Sequence, residues 1–219
     1  MPEGTAMPVP PSLGRLEAGG VPEVFVTAHD ALFAQCGLAA GDRVLVTGAA
    51  GGVGLAGVQL AVAAGASVVA SVHRPELRPA VAGFGVTAVD PAEVADHGPY
   101  DVVLELVGAP NLAIDLGCLA TGGRIVVIGV GGGSRTEIDL LAIMGKRAVL
   151  RGSTLRARSL ADKSSAVGRA ADQILPLFES GSIKVHVEAA YPLDQAAAAY
   201  ERFAAGGKLG KVILDLSGA

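Results

Sequence analysis

The sequence has no tryptophan, only 4% aromatic residues and only two cysteines among its 219 residues. Cys36 and Cys118 are isolated, which excludes a disulfide framework and a C-x-x-C redox pair and is typical of a reducing compartment. We therefore expect a cytoplasmic protein. The formal net charge of −4 attracts neither phosphate backbones nor anionic membrane surfaces. We accordingly expect a small-molecule partner, and neither nucleic acid nor a membrane.

Charged residues are missing from residues 44–72, a stretch that a hydropathy window flags as a membrane helix. A cluster of glycines, Gly48, Gly51, Gly52 and Gly54, interrupts this stretch. Before the cluster the sequence is a short β-rich run, and after it the apolar residues follow helical spacing. The pattern predicts a strand, a turn and a buried helix. The N-terminus also lacks the basic and apolar regions of a secretory signal.

The remaining composition, 51% hydrophobic and 17% charged with 31 glycines, is that of a globular protein with one sizeable core. Short apolar runs alternate with helical segments, as in βαβ units whose helices cover both faces of a sheet. Parallel strands joined by right-handed crossovers form an open, doubly wound sheet. We predict an α/β Rossmann fold with strands at residues 43–47, 67–72, 86–89, 101–106, 124–130 and 148–154.

Three regions are predicted along the chain: a proline-rich connecting arm at 1–21, a dinucleotide-binding domain at 22–154 and a small C-terminal α/β segment at 155–219. We expect no packing pattern in the arm and a helix over 22–37. The C-terminal segment is predicted to contain helices over 160–180 and around 196–204, and strands at 183–187 and 211–216.

The strongest motif is the strand at 43–47 running into the glycine turn that opens a helix. In the G-x-G-x-x-G frame, Ala49 holds the first position and Gly51 and Gly54 hold the other two. Glycines let a pyrophosphate approach the backbone, and the helix N-terminus offers free N–H groups and a positive dipole end. The alternative, an ordinary glycine turn, accounts less well for the strand before the motif and the βα units after it. No Gly-Lys-Ser/Thr follows, which excludes a Walker loop.

Cofactor choice depends on the residues that follow the second predicted strand. A carboxylate there holds the ribose 2′-hydroxyl of NAD(H). This chain instead has His73 and Arg74. A guanidinium forms charge-assisted hydrogen bonds with a 2′-phosphate, so the position favours NADP(H). The alternative is that Arg74 is a solvated loop residue.

The chain resembles the zinc-independent quinone oxidoreductases of the medium-chain dehydrogenase/reductase family. The matching stretches lie at 22–28, 49–54, 101–108, 122–129 and 210–214, and residues 151–158 resemble the branch near the p53-inducible quinone reductases. The resemblance implies that one set of residues lines the nicotinamide half of the cofactor: Thr27, Gly51, Gly52, Val53, Val107, Gly108, Ile128, Gly129 and Val130. For each of these residues the alternative is a turn or sheet position.

Two departures from the family stand out. Where the family commonly has Gly-Ser and a nearby Lys after the second strand, this chain has Val72, His73 and Glu76, which weakens the NADP(H) assignment. The family also places a barrel-like substrate domain before the arm, so we expect about 100 or more residues to be absent. Glu23 stands where zinc-dependent relatives have a cysteine, and the four histidines lack ligand spacing, so no metal is expected.

These features predict an oxidoreductase in which NADPH delivers hydride to a quinone or another conjugated acceptor, such as an enone. An enoyl reductase and a non-catalytic nucleotide-binding fragment are the alternatives. No catalytic residue is assigned from the sequence. The predicted strand at 148–154 is short, apolar and at a sheet edge, which favours a homodimer.

Overall fold

The computed structural model describes residues 2–218. Its centre is a six-stranded, wholly parallel sheet with the order β3-β2-β1-β4-β5-β6. The strands are β1 Arg43–Val46, β2 Ser67–Ser71, β3 Thr87–Val89, β4 Tyr100–Glu105, β5 Leu119–Val127 and β6 Val149–Gly152. This is the Rossmann strand order, which confirms the predicted fold class.

Eight α-helices lie among the described residues: α1 Arg15–Gly19, α2 Val24–His29, α3 Gly52–Ala63, α4 Arg78–Ala82, α5 Leu112–Gly117, α6 Leu140–Lys146, α7 Leu160–Glu179 and α8 Ala196–Ala204. The helix predicted over 22–37 is α2 continued by a π-helical turn at Asp30–Gln35. Gly37 ends it in the left-handed region, with φ +59°.

Both faces of the sheet are buried because its central strands carry apolar side chains on both faces. On β1, Val44 and Val46 point into one core, and Leu45 points into the other. The first core also holds α2, α3 and α7, and the aromatic rings of Phe25 and Phe178 meet edge to face at 4.9 Å. Parallel sheets covered on both faces have such continuous apolar strands. The uncharged stretch 44–72 is thus explained by β1, α3 and β2, and within residues 2–218 no helix combines the length and apolarity needed to cross a bilayer.

The N-terminal arm is packed, contrary to the prediction that it lacks a packing pattern. Met7 and Leu13 lie against the main hydrophobic core, and α1 forms within the arm. Single apolar residues between prolines have no helical or strand period, so the sequence pattern could not show that they are partly buried.

The strand predicted at 183–187 is wrong; the strand is β7 Val187–Pro192. Ile183 and Val185 are buried, which produced the alternating pattern, but the backbone of Lys184 between them pairs with a side chain. The Gln59 side-chain amide accepts from the Lys184 N–H at 2.8 Å and donates to its carbonyl at 3.0 Å. β7 pairs in parallel with β8 Lys211–Asp215, so the two C-terminal strands are partners of each other.

Candidate functional site

A cleft of about 390 Å³ lies where the carboxyl ends of β1, β4 and β5 meet. Ligands in open α/β sheets bind at this edge, where the strand order reverses between β1 and β4. The cleft is lined by residues from the start of α2, the glycine turn, the ends of β4 and β5, and the C-terminal segment: Glu23, Val24, Thr27, Gly48, Gly51, Gly52, Val53, Gly54, Leu106, Ile128, Gly129, Phe203, Lys208, Gly210, Lys211 and Val212.

The glycine turn connects β1 to α3 and forms one wall of the cleft. Gly48 takes φ +57°, and a Cβ on Gly54 would lie 2.5 Å from the Gly48 carbonyl oxygen, so the turn closes tightly only without a side chain there. Gly51 precedes the first turn of α3, and no side chain within the described residues caps that helix. Its free N–H groups and positive dipole end therefore face the cleft and suit an anion.

The end of β4 is fixed by a buried carboxylate. Glu105 is fully buried and accepts hydrogen bonds from the backbone N–H groups of Val107 at 2.5 Å and Gly108 at 2.6 Å. The Asn111 side chain donates to its other oxygen at 3.3 Å. A Cβ on Gly129 would lie 2.3 Å from the Leu106 carbonyl oxygen, so β5 also needs a glycine where it leaves the sheet. These contacts set the shape of the cleft floor.

Asp115 on α5 lies behind this floor and is buried. Burial, together with the neighbouring Glu105 carboxylate, raises the pKa of Asp115 to about 9. Its Oδ2 has no hydrogen-bond partner within residues 2–218. Asp115 is therefore protonated at neutral pH, next to Glu105. Sequence reasoning missed this pair, for which the only clue was two acids in an otherwise apolar stretch.

Seven of the residues predicted to bind the cofactor line the cleft: Thr27, Gly51, Gly52, Val53, Gly54, Ile128 and Gly129. Ala49 is fully buried beneath the turn. Gly108 and Val130 line an adjoining cavity of about 70 Å³. The Val107 side chain lies beside Gly48, where an added Cβ would be 3.5 Å from it. The structure thus places these residues in one region, drawn from four separated parts of the chain.

His73 and Arg74 follow β2 and lie outside the lining of this cleft. Both are exposed, and the Arg74 guanidinium is 3.5 Å from the Glu76 carboxylate. A Cβ on Gly207 would lie 3.1 Å from the Arg74 Cζ, so the guanidinium packs on the backbone of the C-terminal segment. Sequence reasoning missed Arg78, which donates to the Val72 carbonyl and pairs with Asp90. Arg78 therefore joins the ends of β2 and β3.

The C-terminal segment forms the second wall of the cleft, which sequence reasoning did not predict. The Gly210 N–H donates to the Ala50 carbonyl at 2.9 Å, so the start of β8 is fixed to the glycine turn. The Lys211 ammonium lies 3.4 Å from the Glu23 carboxylate across the cleft. Residues 211–216 were predicted as a strand and 210–214 matched the family resemblance, but neither observation carried information about this contact.

No group of three or more His, Cys, Asp or Glu side chains suited to a metal ion occurs within residues 2–218. His29 is buried and makes a 2.8 Å hydrogen bond with the Gln173 side chain. Burial lowers the pKa of His29 below its usual value. It is therefore a neutral core histidine that joins α2 to α7.

The strand order and the glycine turn define the class of protein, a doubly wound domain of the Rossmann type. The profile of the family described as zinc-binding dehydrogenase matches residues 81–214. Rat quinone oxidoreductase is 32% identical over 226 residues, which cover 98% of this chain and 67% of that protein. The chain belongs to the zinc-binding dehydrogenase family and is similar to its quinone oxidoreductases, which confirms the resemblance seen in the sequence.

Two further relatives show how the chain relates to longer proteins. The quinone oxidoreductase of Thermus thermophilus, solved also in complex with NADPH, superposes with a TM-score of 0.88 at 32% identity. The superposition covers 99% of this chain and 71% of that one. The spectinabilin polyketide synthase system protein NorB of Streptomyces orinoci is 36% identical over 95% of this chain. The chain spans only 10% of NorB and about two thirds of the rat enzyme.

Proposed function

We propose that this chain binds NADP(H) and contributes to an oxidoreductase in which the nicotinamide passes hydride to a quinone or another conjugated acceptor. The observation that carries the proposal is the uncapped N-terminus of α3 behind a glycine turn in the cleft. The similarity to a quinone oxidoreductase that was solved with NADPH supports the choice of cofactor. We further propose that residues 22–154 act as the cofactor-binding unit, in a cytoplasmic, zinc-independent protein.

In this proposal the cofactor diphosphate lies at the backbone N–H groups of Gly52 and Val53, which the α3 dipole makes electropositive. The nicotinamide lies toward Thr27, Ile128 and Gly129 and toward the neighbouring positions Val107, Gly108 and Val130. The adenosine ribose lies toward His73 and Arg74. The bound cofactor supplies the hydride chemistry, and the protein positions it. We assign no general acid.

Two other functions are compatible with the same cleft. An enoyl reductase would use the same cofactor site with an unsaturated acyl thioester, and the 36% identity to a polyketide synthase system protein is the observation in its favour. The second alternative is a non-catalytic nucleotide-binding module. The observation in its favour is that the chain spans only part of each relative described above. Assays with a simple quinone and with an enoyl thioester, each with NADPH, distinguish the three functions.

NADPH should bind about tenfold more tightly than NADH, because a charge-assisted contact between Arg74 and the 2′-phosphate is available only to NADPH. The Arg74→Ala variant should lose most of this difference. Glu76, at 3.5 Å, must release the guanidinium, which limits the size of the preference. Nicotinamide fluorescence titrations measure both affinities. Arg156→Ala, at another exposed arginine, is the control; equal affinities in the wild type, or a preference for NADH, would contradict the proposal.

We also propose a homodimer formed through β6. All four residues of β6 are exposed at the edge of the sheet, and Leu140, Leu141 and Met144 of the adjacent α6 are each at least 69% exposed. An unpaired apolar edge is a template for pairing with a second copy. The molar mass measured by light scattering at micromolar concentration should therefore be twice that of one chain. In the Leu150→Lys variant, the measured mass should fall toward that of one chain. Leu193→Lys, an exposed site on the C-terminal segment, serves as the control, and a monomeric wild type would refute the dimer.

A further inference from the structure

The positively charged ammonium of Lys208 lies in the cleft, and the proposed function gives it no role so far. Its side chain lines the cleft wall opposite the glycine turn, and its ammonium lies 4.6 Å from the centre of the Phe203 ring. Burial, and then the nearby charges of Lys211 and Arg202, lower the pKa of Lys208 below its usual value. The ammonium therefore lies in surroundings that favour the addition of a negative charge.

The neighbouring cations already have anionic partners. Lys211 pairs with Glu23 at 3.4 Å, and Arg202 pairs with Glu188. No carboxylate within residues 2–218 lies within ion-pair distance, 4.0 Å, of the Lys208 ammonium. The Glu188 carboxylate attracts the Lys208 ammonium from beyond that distance. A half-buried charge without an ion-pair partner is still unfavourable, and an anion entering the cleft would remove that cost.

The backbone on both sides of Lys208 is held in place, so the lysine is presented at a defined point along the cleft. On one side, Gly206 and Gly207 adopt left-handed φ values of +67° and +61° and pack against the Arg74 guanidinium. On the other side, the Gly210 N–H donates to the Ala50 carbonyl in the glycine turn. Residues 206–211 thus run from the end of β2 to the entrance of α3, with Lys208 between the two.

We propose that Lys208 binds the diphosphate of the cofactor from the side opposite the α3 N-terminus. The inference rests on the proposed function, and it separates two electrostatic roles. Arg74 contacts the 2′-phosphate, which only NADP(H) carries. Lys208 contacts the diphosphate, which NADP(H) and NAD(H) share. Lys208 therefore contributes affinity without contributing to the choice between the two cofactors.

The test is the Lys208→Gln variant, titrated by calorimetry with NADPH, NADH and ADP. Each affinity should fall by about tenfold or more, the usual size of a lost hydrogen bond to a charged group, while the ratio of NADPH to NADH affinity stays at its wild-type value. Lys208→Arg should restore most of the affinity. The matched control is Lys184→Gln, because Lys184 makes the same kind of contact with a ring, 5.4 Å from the centre of Phe84, outside the cleft lining.

The outcomes separate this inference from the proposed function. A wild-type chain that binds none of the three nucleotides contradicts the proposed function itself. Wild-type affinities in Lys208→Gln contradict only the role of Lys208. A loss confined to NADPH would also overturn the inference, since Lys208 would then act on the 2′-phosphate. Thermal unfolding of each variant shows whether the fold is intact, and Lys208→Arg provides a charged variant if the glutamine variant is unstable.

Discussion

The purified chain should bind NADPH and yet reduce a simple quinone far more slowly than the roughly 10 per second typical of enzymes. The two properties should separate because they depend on different parts of the structure. The glycine turn belongs to a complete six-stranded sheet, so the diphosphate site is self-contained. The proposed nicotinamide end is open to solvent, since Val130 is 51% exposed.

Hydride transfer requires a cavity that holds the acceptor against the nicotinamide and excludes water. Within residues 2–218, the cleft has walls only from the sheet edge, the glycine turn with the start of α3, α2 and the C-terminal segment. Rat quinone oxidoreductase extends beyond this chain by about a third of its own length. We therefore expect the acceptor to meet the nicotinamide only transiently, with a turnover that is low at every quinone concentration.

Cofactor binding is measured by nicotinamide fluorescence, and turnover is measured by NADPH oxidation with a simple quinone. Gly54→Ala should abolish binding, because its Cβ would lie 2.5 Å from the Gly48 carbonyl oxygen. Gly168→Ala on α7 is the matched control, since no atom lies within 4 Å of its added Cβ. Rat quinone oxidoreductase serves as the positive control for the turnover assay. A turnover near 10 per second for the isolated chain would contradict the prediction.

The sequence was sufficient to predict the six-stranded sheet because each strand is a short apolar run between glycine turns, a pattern that depends on local residues alone. The strand predicted at 183–187 is wrong for a reason that depends on distant residues. Ile183 and Val185 alternate as in a strand, but the distant Gln59 side chain makes the hydrogen bonds that a neighbouring strand would make. Periodicity shows which residues are buried and cannot show which group pairs with the backbone between them.

The site was predictable on one wall only. The glycine turn is a contiguous motif whose physical purpose is evident from its residues, and Thr27, Ile128 and Gly129 were placed by resemblance. The opposite wall, with Phe203 and Lys208, depends on the Gly210 to Ala50 hydrogen bond between segments far apart in the chain. No local pattern encodes such a contact. The buried Asp115 was missed for the same reason, since its pKa depends on a neighbour from another element.

The free energy of unfolding should fall as pH rises from 7.0 to 8.5, and Asp115→Asn should remove most of that fall. The pKa of Asp115 is raised from its ordinary 3.8 to about 9 in the folded chain. Between these values the folded state holds one proton that the unfolded state has lost. Stability rises with pH only where the unfolded state binds more protons, so here it must fall. One such proton changes the free energy by up to about 1.4 kcal/mol per pH unit.

This pH window separates Asp115 from four other groups with shifted pKa values. The pKa of His29 is lowered by burial, so its contribution to stability is present above its ordinary 6.5 and is lost only as the pH falls below that value. The pKa values of Asp30 and Glu188 lie below their usual range, so those carboxylates lose their contributions only in acid. Burial raises the pKa of the Cys36 thiol to about 11, and its effect begins near its ordinary value of 9.0.

Urea unfolding curves at pH 7.0, 7.5, 8.0 and 8.5 measure the free energy of unfolding for each protein. In Asp115→Asn the amide can donate to the Glu105 carboxylate and has no proton to release, so its curve should be nearly flat and should lie above the wild type at pH 8.5. Asp172→Asn, at an exposed acid on α7, should follow the wild-type slope. Parallel slopes for the wild type and Asp115→Asn would show that Asp115 is ionised in the folded chain. Asp115 would then place a buried negative charge next to Glu105, at the turn that holds Val107 and Gly108.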